Sequence, residues 1–331
     1  MIHFSKSIVT DAIYYIIRSD IEINLFEAFK TIDNIPYLVY INKDNFIIFY
    51  DLNNNKKTFE IKNGHNDNIS YIRYYLDQLN KRDLLLTISH LENNIKVWDI
   101  NNLECILYID SGNKDIFSAN FLYSDNQINI ISLYQENVLY SDEFNIYNLN
   151  GDKIDEIKYF HGRIFFIKTY YNKKEDKSYI ITSHDKYIVS YDYTKGKQYR
   201  QYKDGGGPYF RHICAVINEN DNEIKLIESC WDGKIRIWNF DSGKLLNKIN
   251  LINKERRLNG ICLWDNDYIF IGDEDGYIIL IDIKNGNVIK KFKDKDKDNA
   301  PILSIEKISI NIGECLITQE YNRNKINLWI I

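Results

Sequence analysis

Proline and methionine are scarce in this chain of 331 residues, with three copies and one copy, and glycine occurs only fifteen times. No apolar run approaches the roughly 20 residues that a helix needs to cross a bilayer. The first residues also lack the apolar stretch and small-residue cleavage site of a secretory signal. The sequence therefore predicts neither membrane insertion nor secretion.

Cysteine is sparse and shows no paired pattern. None of the cysteines belongs to a Cys-x-x-Cys motif, and their number is odd, which argues against a disulfide framework. We therefore expect reduced, buried thiols in a cytoplasmic protein. The five positions are Cys105, Cys214, Cys230, Cys262 and Cys315.

An excess of positive charge is missing as well, because the formal net charge is −5. A nucleic-acid binder usually carries a basic excess on one face, so nucleic acid is an unlikely partner. The chain contains no Gly-x-Ser-x-Gly nucleophile motif, no phosphate-binding glycine loop and no metal-ligand spacing of histidine and cysteine. We therefore expect no catalytic residue, no cofactor and no metal site.

A short pattern recurs seven times along the chain: apolar, any residue, apolar, aromatic, Asp or Asn, apolar. The clearest copies are Ile95–Ile100 and Ile235–Phe240. Successive copies lie about 46 residues apart, and each interval contains several short strand-like segments without a helical stripe. With 26 tyrosines and 16 phenylalanines favouring strands, the repeat predicts a β-propeller.

The predicted fold is all-β, a single seven-bladed β-propeller of four-stranded antiparallel blades. The last copy of the pattern ends one residue before Ile331, so the final blade lacks an outer strand of its own. One period before the first copy lies Ala12–Ile17, which we expect to pair into the last blade and close the ring. The alternative for this segment is a short helix. Residues 1–11 are then a short N-terminal segment, and 12–331 form the propeller.

These motifs resemble WD repeats. Trp98-Asp99, preceded by Gly64-His65, has the spacing of that family, and Ser229–Asn239 is a second recognisable copy. The resemblance covers nearly the whole chain, with five of the seven copies degenerate.

The family joins a His, a Ser or Thr, an Asp and a Trp by hydrogen bonds within a blade. In the copy that ends at Trp98, His65 and Ser89 match, while Glu92 or Asn93 stands where Asp is expected. The other clear copy has a matching Asp and Trp but no preceding His. The resemblance therefore implies that most blades depend on apolar packing.

The resemblance implies a non-catalytic scaffold or adaptor that binds proteins on the face where the inter-blade loops and the tight Asp-containing turns emerge. The residue before the turn Asp projects from that face in this family. Trp231 is the strongest candidate, since exposed Trp dominates many interfaces; packing beneath a neighbouring loop is the alternative. The residues at this position are Lys43, His184, Trp231 and Glu274. We expect His184 to be a solvated turn residue.

The glycine-rich loop 204–211 should open beside Trp231. Its Tyr209 and Arg211 are residue types enriched at interface hot spots, although the loop could be a plain turn. Arg257, in the next inter-blade loop, adds positive charge. Together these residues predict a mixed aromatic and basic patch suited to an acidic peptide of a protein partner in a larger complex.

Two other functions are weighed against the scaffold. A propeller enzyme would need carboxylates at the starts of the inner strands, where this sequence is mostly apolar. A propeller that reads phospholipid or nucleic acid is disfavoured by the net charge of −5, and Arg256-Arg257 lies in a loop rather than in a strand.

Overall fold

A computed structural model of the chain describes most of its residues and divides them into two compact units. The terminal unit comprises Met1–Ile23, Ser183–Val189 and Arg200–Ile331, and the middle unit comprises Asn24–Thr182 and Ser190–Tyr199. The described residues are 3–9, 12–18, 25–62, 64–112, 114–135, 142–159, 164–184, 186–204, 212–219, 223–251, 257–293, 300–320 and 325–331.

The described residues form 29 β-strands and no helix. In chain order the strands are β1 His3–Val9, β2 Ala12–Arg18, β3 Phe26–Lys30, β4 Pro36–Ile41, β5 Ile47–Asp51, β6 Lys56–Ile61, β7 Ile69–Asp77, β8 Arg82–Ser89, β9 Asn94–Asp99, β10 Glu104–Asp110, β11 Asp115–Ser124, β12 Gln127–Gln135, β13 Asp142–Asn148, β14 Lys153–Tyr159, β15 Phe166–Asn172, β16 Lys177–Ser183, β17 Ile188–Asp192, β18 Lys197–Tyr202, β19 His212–Glu219, β20 Ile224–Cys230, β21 Lys234–Asn239, β22 Leu245–Asn250, β23 Leu258–Leu263, β24 Tyr268–Asp273, β25 Ile278–Asp282, β26 Val288–Phe292, β27 Ile302–Ile310, β28 Gly313–Glu320 and β29 Lys325–Ile330.

These strands form seven sheets, and the fold is the predicted seven-bladed β-propeller. Four consecutive strands make each of the first six sheets, so sheet 1 is β3–β6, sheet 2 is β7–β10, and the count continues to sheet 6, β23–β26. Each recurrence of the sequence pattern is the third strand of its sheet, as the repeat predicts. Sheets 1 to 3 belong to the middle unit, and sheets 5 to 7 belong to the terminal unit.

Sheet 7 combines the two ends of the chain. Its strand order is β1-β2-β29-β28-β27, and β2 runs antiparallel to β29 from the pair Ile13–Ile330 to the pair Arg18–Lys325. The predicted closure by the N-terminal strand is therefore confirmed, and the helical alternative for this segment is wrong. The strand β1 lies in the segment expected outside the propeller and makes sheet 7 five-stranded, because it forms a hairpin with β2.

Burial decreases from the second strand of a sheet to its fourth. Seven of the eight residues of β8 are buried, whereas the outer strand β10 alternates between exposed and buried positions. Sheets that stack on both faces need apolar residues at nearly every position of their middle strands. This gradient explains why the third strands carry the clearest pattern and the outer strands the weakest.

The cores lie between neighbouring sheets. In the middle unit, Phe49 of sheet 1 packs in one cluster with Leu85 and Trp98 of sheet 2. In the terminal unit, sheets 5 and 6 share an isoleucine-rich cluster, and sheets 6 and 7 share one that includes Trp329. Gly272 of sheet 6 packs tightly against sheet 7, since a Cβ there would lie 2.6 Å from the Cβ of Ile302.

Candidate protein-binding site

Trp231 lies in a tight turn between β20 and β21. The Cys230 carbonyl accepts a 3.1 Å hydrogen bond from the amide of Gly233, whose φ of 73° favours glycine. The side chain of Trp231 is half-buried, and the Arg257 guanidinium carbon lies 4.4 Å from its ring centroid. Arg257 itself is exposed, so this cation–aromatic pair faces solvent.

A hydrogen bond between sheets 5 and 6 brings these two residues together. Ser229, two residues before Trp231, donates its hydroxyl to the carbonyl of Asn259, two residues after Arg257, over 2.8 Å. The Arg257 carbonyl in turn accepts a 3.1 Å hydrogen bond from the amide of Glu274. Three of the residues predicted for binding are thus adjacent on one face of the terminal unit.

A buried ion network lies beneath the turn that carries Trp231. The Arg236 side chain bonds both oxygens of Asp232, with Nη2–Oδ2 at 2.6 Å and Nη1–Oδ1 at 3.3 Å. Its Nε donates to Oδ2 of Asp204 over 2.9 Å and lies 3.8 Å from the buried carboxylate of Glu228. Arg236 therefore joins the Trp231 turn to Asp204, the first residue of the predicted loop 204–211.

The charges in this network stabilise each other. Burial favours the neutral form of Asp232, but hydrogen bonds and the charge of Arg236 outweigh burial and lower its pKa. Burial would lower the pKa of Arg236, but the Asp232, Glu228 and Asp204 carboxylates outweigh it and raise that pKa. Both groups consequently stay charged although they are almost fully buried.

The remaining predicted residues fall in different places. Lys43 is exposed in the turn between β4 and β5 of the middle unit. His184 is buried rather than solvated, because its ring packs on Tyr187 with a centroid distance of 4.9 Å. Tyr209 and Arg211 lie outside the described residues.

The hydrogen-bond set around Trp98 has the predicted histidine but a different hydroxyl. Trp98 Nε1 donates to Thr87 Oγ1 over 2.9 Å, and that hydroxyl lies 2.8 Å from Nε2 of His65. His65 Nδ1 is 3.3 Å from a carboxylate oxygen of Glu92, so Glu92 takes the acidic position. The expected Ser89 is wrong for the hydroxyl, because strand register places Thr87 opposite Lys96, two residue pairs from the Leu85–Trp98 pair, whereas Ser89 lies opposite Asn94, two pairs further away.

Burial, followed by the charge of Lys96, lowers the pKa of His65 to about 4. The imidazole is therefore neutral at physiological pH. A neutral ring that gives its Nδ1–H to Glu92 accepts the Thr87 hydroxyl at Nε2, which leaves the Thr87 oxygen to accept from Trp98. The set is a continuous chain of structural hydrogen bonds.

One of the carboxylates on the inner strands lies near the start of β3, at a position expected from the sequence to be mostly apolar. Glu27 of β3 accepts a 3.0 Å hydrogen bond from Arg73 Nη1 of β7 and a weaker one from the Tyr74 amide. Burial raises the pKa of Glu27 against the opposing charge of Arg73. The arrangement joins sheets 1 and 2 through an ion pair.

In the part of the chain that the structure describes, no group of three or more His, Cys, Asp or Glu could hold a metal ion, and no helix is long and apolar enough to span a membrane. Cys230, Cys262 and Cys315 are buried and belong to no disulfide, as expected, whereas Cys105 is exposed, contrary to expectation. The Cys214 side chain lies outside the described part.

The fold is similar to that of a solved β-propeller. The crystal structure of the Myceliophteria thermophila Cps50 (Swd1) β-propeller domain superposes with a TM-score of 0.66 at 12% sequence identity, covering 94% of this chain and 99% of that chain. No family model matches the sequence, and no curated protein matches it. At this identity the similarity establishes the propeller fold alone.

Proposed function

We propose that this protein is a cytoplasmic, non-catalytic WD-repeat scaffold that binds a protein partner through the face carrying Trp231. The observation that carries the proposal is the Trp231–Arg257 pair, in which a large aromatic ring and a guanidinium are held together at the protein surface. Trp and Arg are the residue types most enriched at interface hot spots. The hydrogen-bond chain from Trp98 to Glu92 supports the WD-repeat assignment.

The rigidity of this pair favours binding. Its turn is fixed below by the Arg236–Asp232 ion pair and at the side by the hydrogen bond from Ser229 to Asn259. A side chain that is already ordered loses less conformational entropy when a partner covers it. The guanidinium favours an acidic segment, and the net charge of −5 makes such a segment a poor fit for most of the remaining surface.

Affinity purification with a tagged protein, followed by mass spectrometry, tests the proposal. We expect W231A/R257A to lose partners that the wild-type chain recovers, because truncating a hot spot costs ~2 kcal/mol or more, about 30-fold in affinity. The matched control is Trp264→Ala. Trp264 directly follows β23, whereas Arg257 directly precedes it. Trp264 also pairs with a cation, since Lys307 Nζ lies 4.6 Å from the centroid of its ring.

Because Trp264 lies at the end of β23 opposite to Arg257, the W264A variant should recover the same partners as the wild type. Thermal unfolding of both variants shows whether either change disturbs the fold. Equal recovery of partners by W231A/R257A and the wild type would remove the basis of the proposal.

A further inference from the structure

Two turns at one end of sheet 2 expose leucine side chains. The turn between β7 and β8 carries Leu79, which is 63% exposed, and the turn between β9 and β10 carries Leu103, which is 38% exposed. A hydrogen bond holds the two turns side by side, because the Asp83 amide at the start of β8 donates to Oδ1 of Asn101 over 3.1 Å. Neither leucine belongs to the Trp231 site.

Leu103 adopts a backbone conformation that leucine disfavours. Its φ is 58°, in the left-handed region, where the Cβ atom of an ordinary residue is crowded by the backbone. In sheets 1 and 3 to 6, the residue with positive φ in the turn between the third and fourth strands is asparagine or glycine, which tolerate this region. Those residues are Asn55, Gly151, Gly196, Gly243 and Gly286.

The neighbouring turn of sheet 2 shows the same departure. Nine described non-glycine residues have a positive φ, and seven of them are asparagine or aspartate. The other two are Leu103 and Lys81, whose φ is 51°, and both belong to these turns. Strained backbone conformations cluster at functional sites, so this end of sheet 2 is a candidate binding surface.

The polar groups of the two turns are bonded within sheet 2. Asp77 accepts hydrogen bonds from the Asn80 amide and side chain over 3.1 Å and 2.8 Å, and from Arg82 Nε over 2.8 Å. Asp99 accepts the Asn101 amide over 3.0 Å. Both turns are therefore held in place, and covering the leucines requires little further ordering of the backbone.

The exposed charges around the leucines balance. A turn of sheet 1 adjoins this end of sheet 2, because the Ile32 amide donates to the buried Asp83 over 3.0 Å. The exposed charged residues in and next to the three turns are Lys30, Asp33, Lys81 and Glu104. Two positive and two negative side chains favour neither an acidic nor a basic segment, and they do not repel a second copy of the same surface.

We propose that this end of sheet 2 is an interface between two copies of the chain, in which Leu79 and Leu103 pack against the leucines of the second copy. A two-fold contact uses one surface twice, so that surface must complement itself. Lys81 precedes β8 and Glu104 begins β10, two strands away. A two-fold axis between them therefore brings each side chain beside its opposite charge in the other copy.

Sedimentation equilibrium of the full chain from ~5 to ~200 µM tests the interface, because two small turns bury little area and a weak dimer forms by mass action. We expect the average mass of the wild type to rise with concentration toward that of two chains. Leu103→Asn should raise the dissociation constant of the dimer about tenfold or more, since both copies lose the side chain.

The same variant should raise the thermal unfolding midpoint at the lowest concentration, because asparagine adopts a positive φ more readily than leucine. A gain in stability together with a loss of association distinguishes an interface residue from a structural one. Leu246→Asn is the matched control, since Leu246 of β22 is 42% exposed and does not have a positive φ. It should leave association unchanged.

Charge reversal tests the two-fold arrangement. K81E and E104K should each weaken association about threefold, because each places like charges together, and K81E/E104K should restore it. If K81E/E104K associated no more tightly than either single variant, the arrangement that the proposal specifies would be wrong.

The remaining outcomes decide the interface itself. A wild type that stays monomeric over the whole range would overturn it, as would wild-type association in L103N or an equal loss in L246N. A lower thermal midpoint in L103N would overturn the inference too, since Leu103 would then be required by the fold.

Discussion

Sheets 2 and 5 fill the same position of the repeat with different chemistry. In sheet 2 the residues opposite each other on the second and third strands are Thr87 and Lys96, and the Thr87 hydroxyl bonds the neutral imidazole of His65. In sheet 5 the equivalent pair is Glu228 and Arg236, and Arg236 belongs to a buried ion network. The same backbone site therefore tolerates either solution, provided that its polar groups are paired.

The two solutions respond differently to loss of one member. Removing one partner of a buried ion pair leaves an uncompensated charge, whereas removing a neutral hydroxyl leaves only unmet hydrogen bonds. Sheet 5 should accordingly be the more sensitive to single substitutions. It also carries the turn with Trp231, so loss of its ion network should affect the proposed binding as well as stability.

The largest effect is expected for Arg236→Met. This variant leaves the buried carboxylates of Asp232 and Glu228 without their cation, and should lower the free energy of unfolding by ~3–5 kcal/mol. Urea denaturation monitored by circular dichroism measures this free energy of unfolding. Adding Asp232→Leu and Glu228→Met to R236M should recover part of the lost stability. If R236M alone lowered the free energy of unfolding by less than ~1 kcal/mol, Arg236 would not be the centre of the network.

The next effect concerns pH and belongs to sheet 2. The pKa of His65 is about 4 in the folded protein, against 6.5 for an ordinary histidine. As the pH falls from 6.5 toward 4, the unfolded chain binds a proton at His65 and the folded chain does not. The free energy of unfolding should therefore fall by up to about 3 kcal/mol across this window.

The variant His65→Gln isolates that contribution, because it cannot titrate. Urea midpoints measured at several pH values should fall less steeply for H65Q than for the wild type between pH 6.5 and 4. If the urea midpoints of H65Q and the wild type fell equally steeply with pH, burial would not be holding His65 neutral.

A smaller loss is expected for Thr87→Val. The substitution keeps the shape of the side chain but removes the acceptor of Trp98 Nε1 and the partner of His65 Nε2, which should cost ~1–3 kcal/mol. Thr318→Val is the matched comparison, because Thr318 Oγ1 accepts a 2.9 Å hydrogen bond from Trp329 Nε1 in sheet 7. If T318V destabilises the protein more than T87V, the added histidine bond is not contributing.

The smallest change in stability is expected for Trp231→Ala. Its ring is half-buried and pairs with an exposed guanidinium, a contact worth ~0.5–1 kcal/mol. A thermal midpoint close to that of the wild type would separate the half-buried Trp231 from the buried Trp98 and Trp238. A loss of several kcal/mol would instead indicate a core residue.

The strand plan was readable from the sequence because middle strands are buried on both faces and so repeat an apolar pattern with a fixed period. The closure by Ala12–Ile17 followed from the missing outer strand of the last copy. β1 was missed because its run of serine, lysine and histidine among apolar residues gives little strand signal.

The site was only partly readable. Trp231, Arg257 and Glu274 could be placed together because loops of adjacent blades emerge on one face. Strand register decided what the motif spacing could not, namely that Thr87 rather than Ser89 meets Trp98. The burial of His184 depends on spatial neighbours, which a single sequence does not reveal.

The pairing of β2 with β29 has a consequence for how the chain reaches its native state during synthesis. The ribosome synthesises β2 about three hundred residues before β29, the strand to which β2 is hydrogen-bonded. Until β29 emerges from the ribosome, β2 has no native partner on that side, and such distant contacts slow the final folding step. The edge of β2 that pairs with β29 is therefore open to pairing with other chains until β29 has been synthesised.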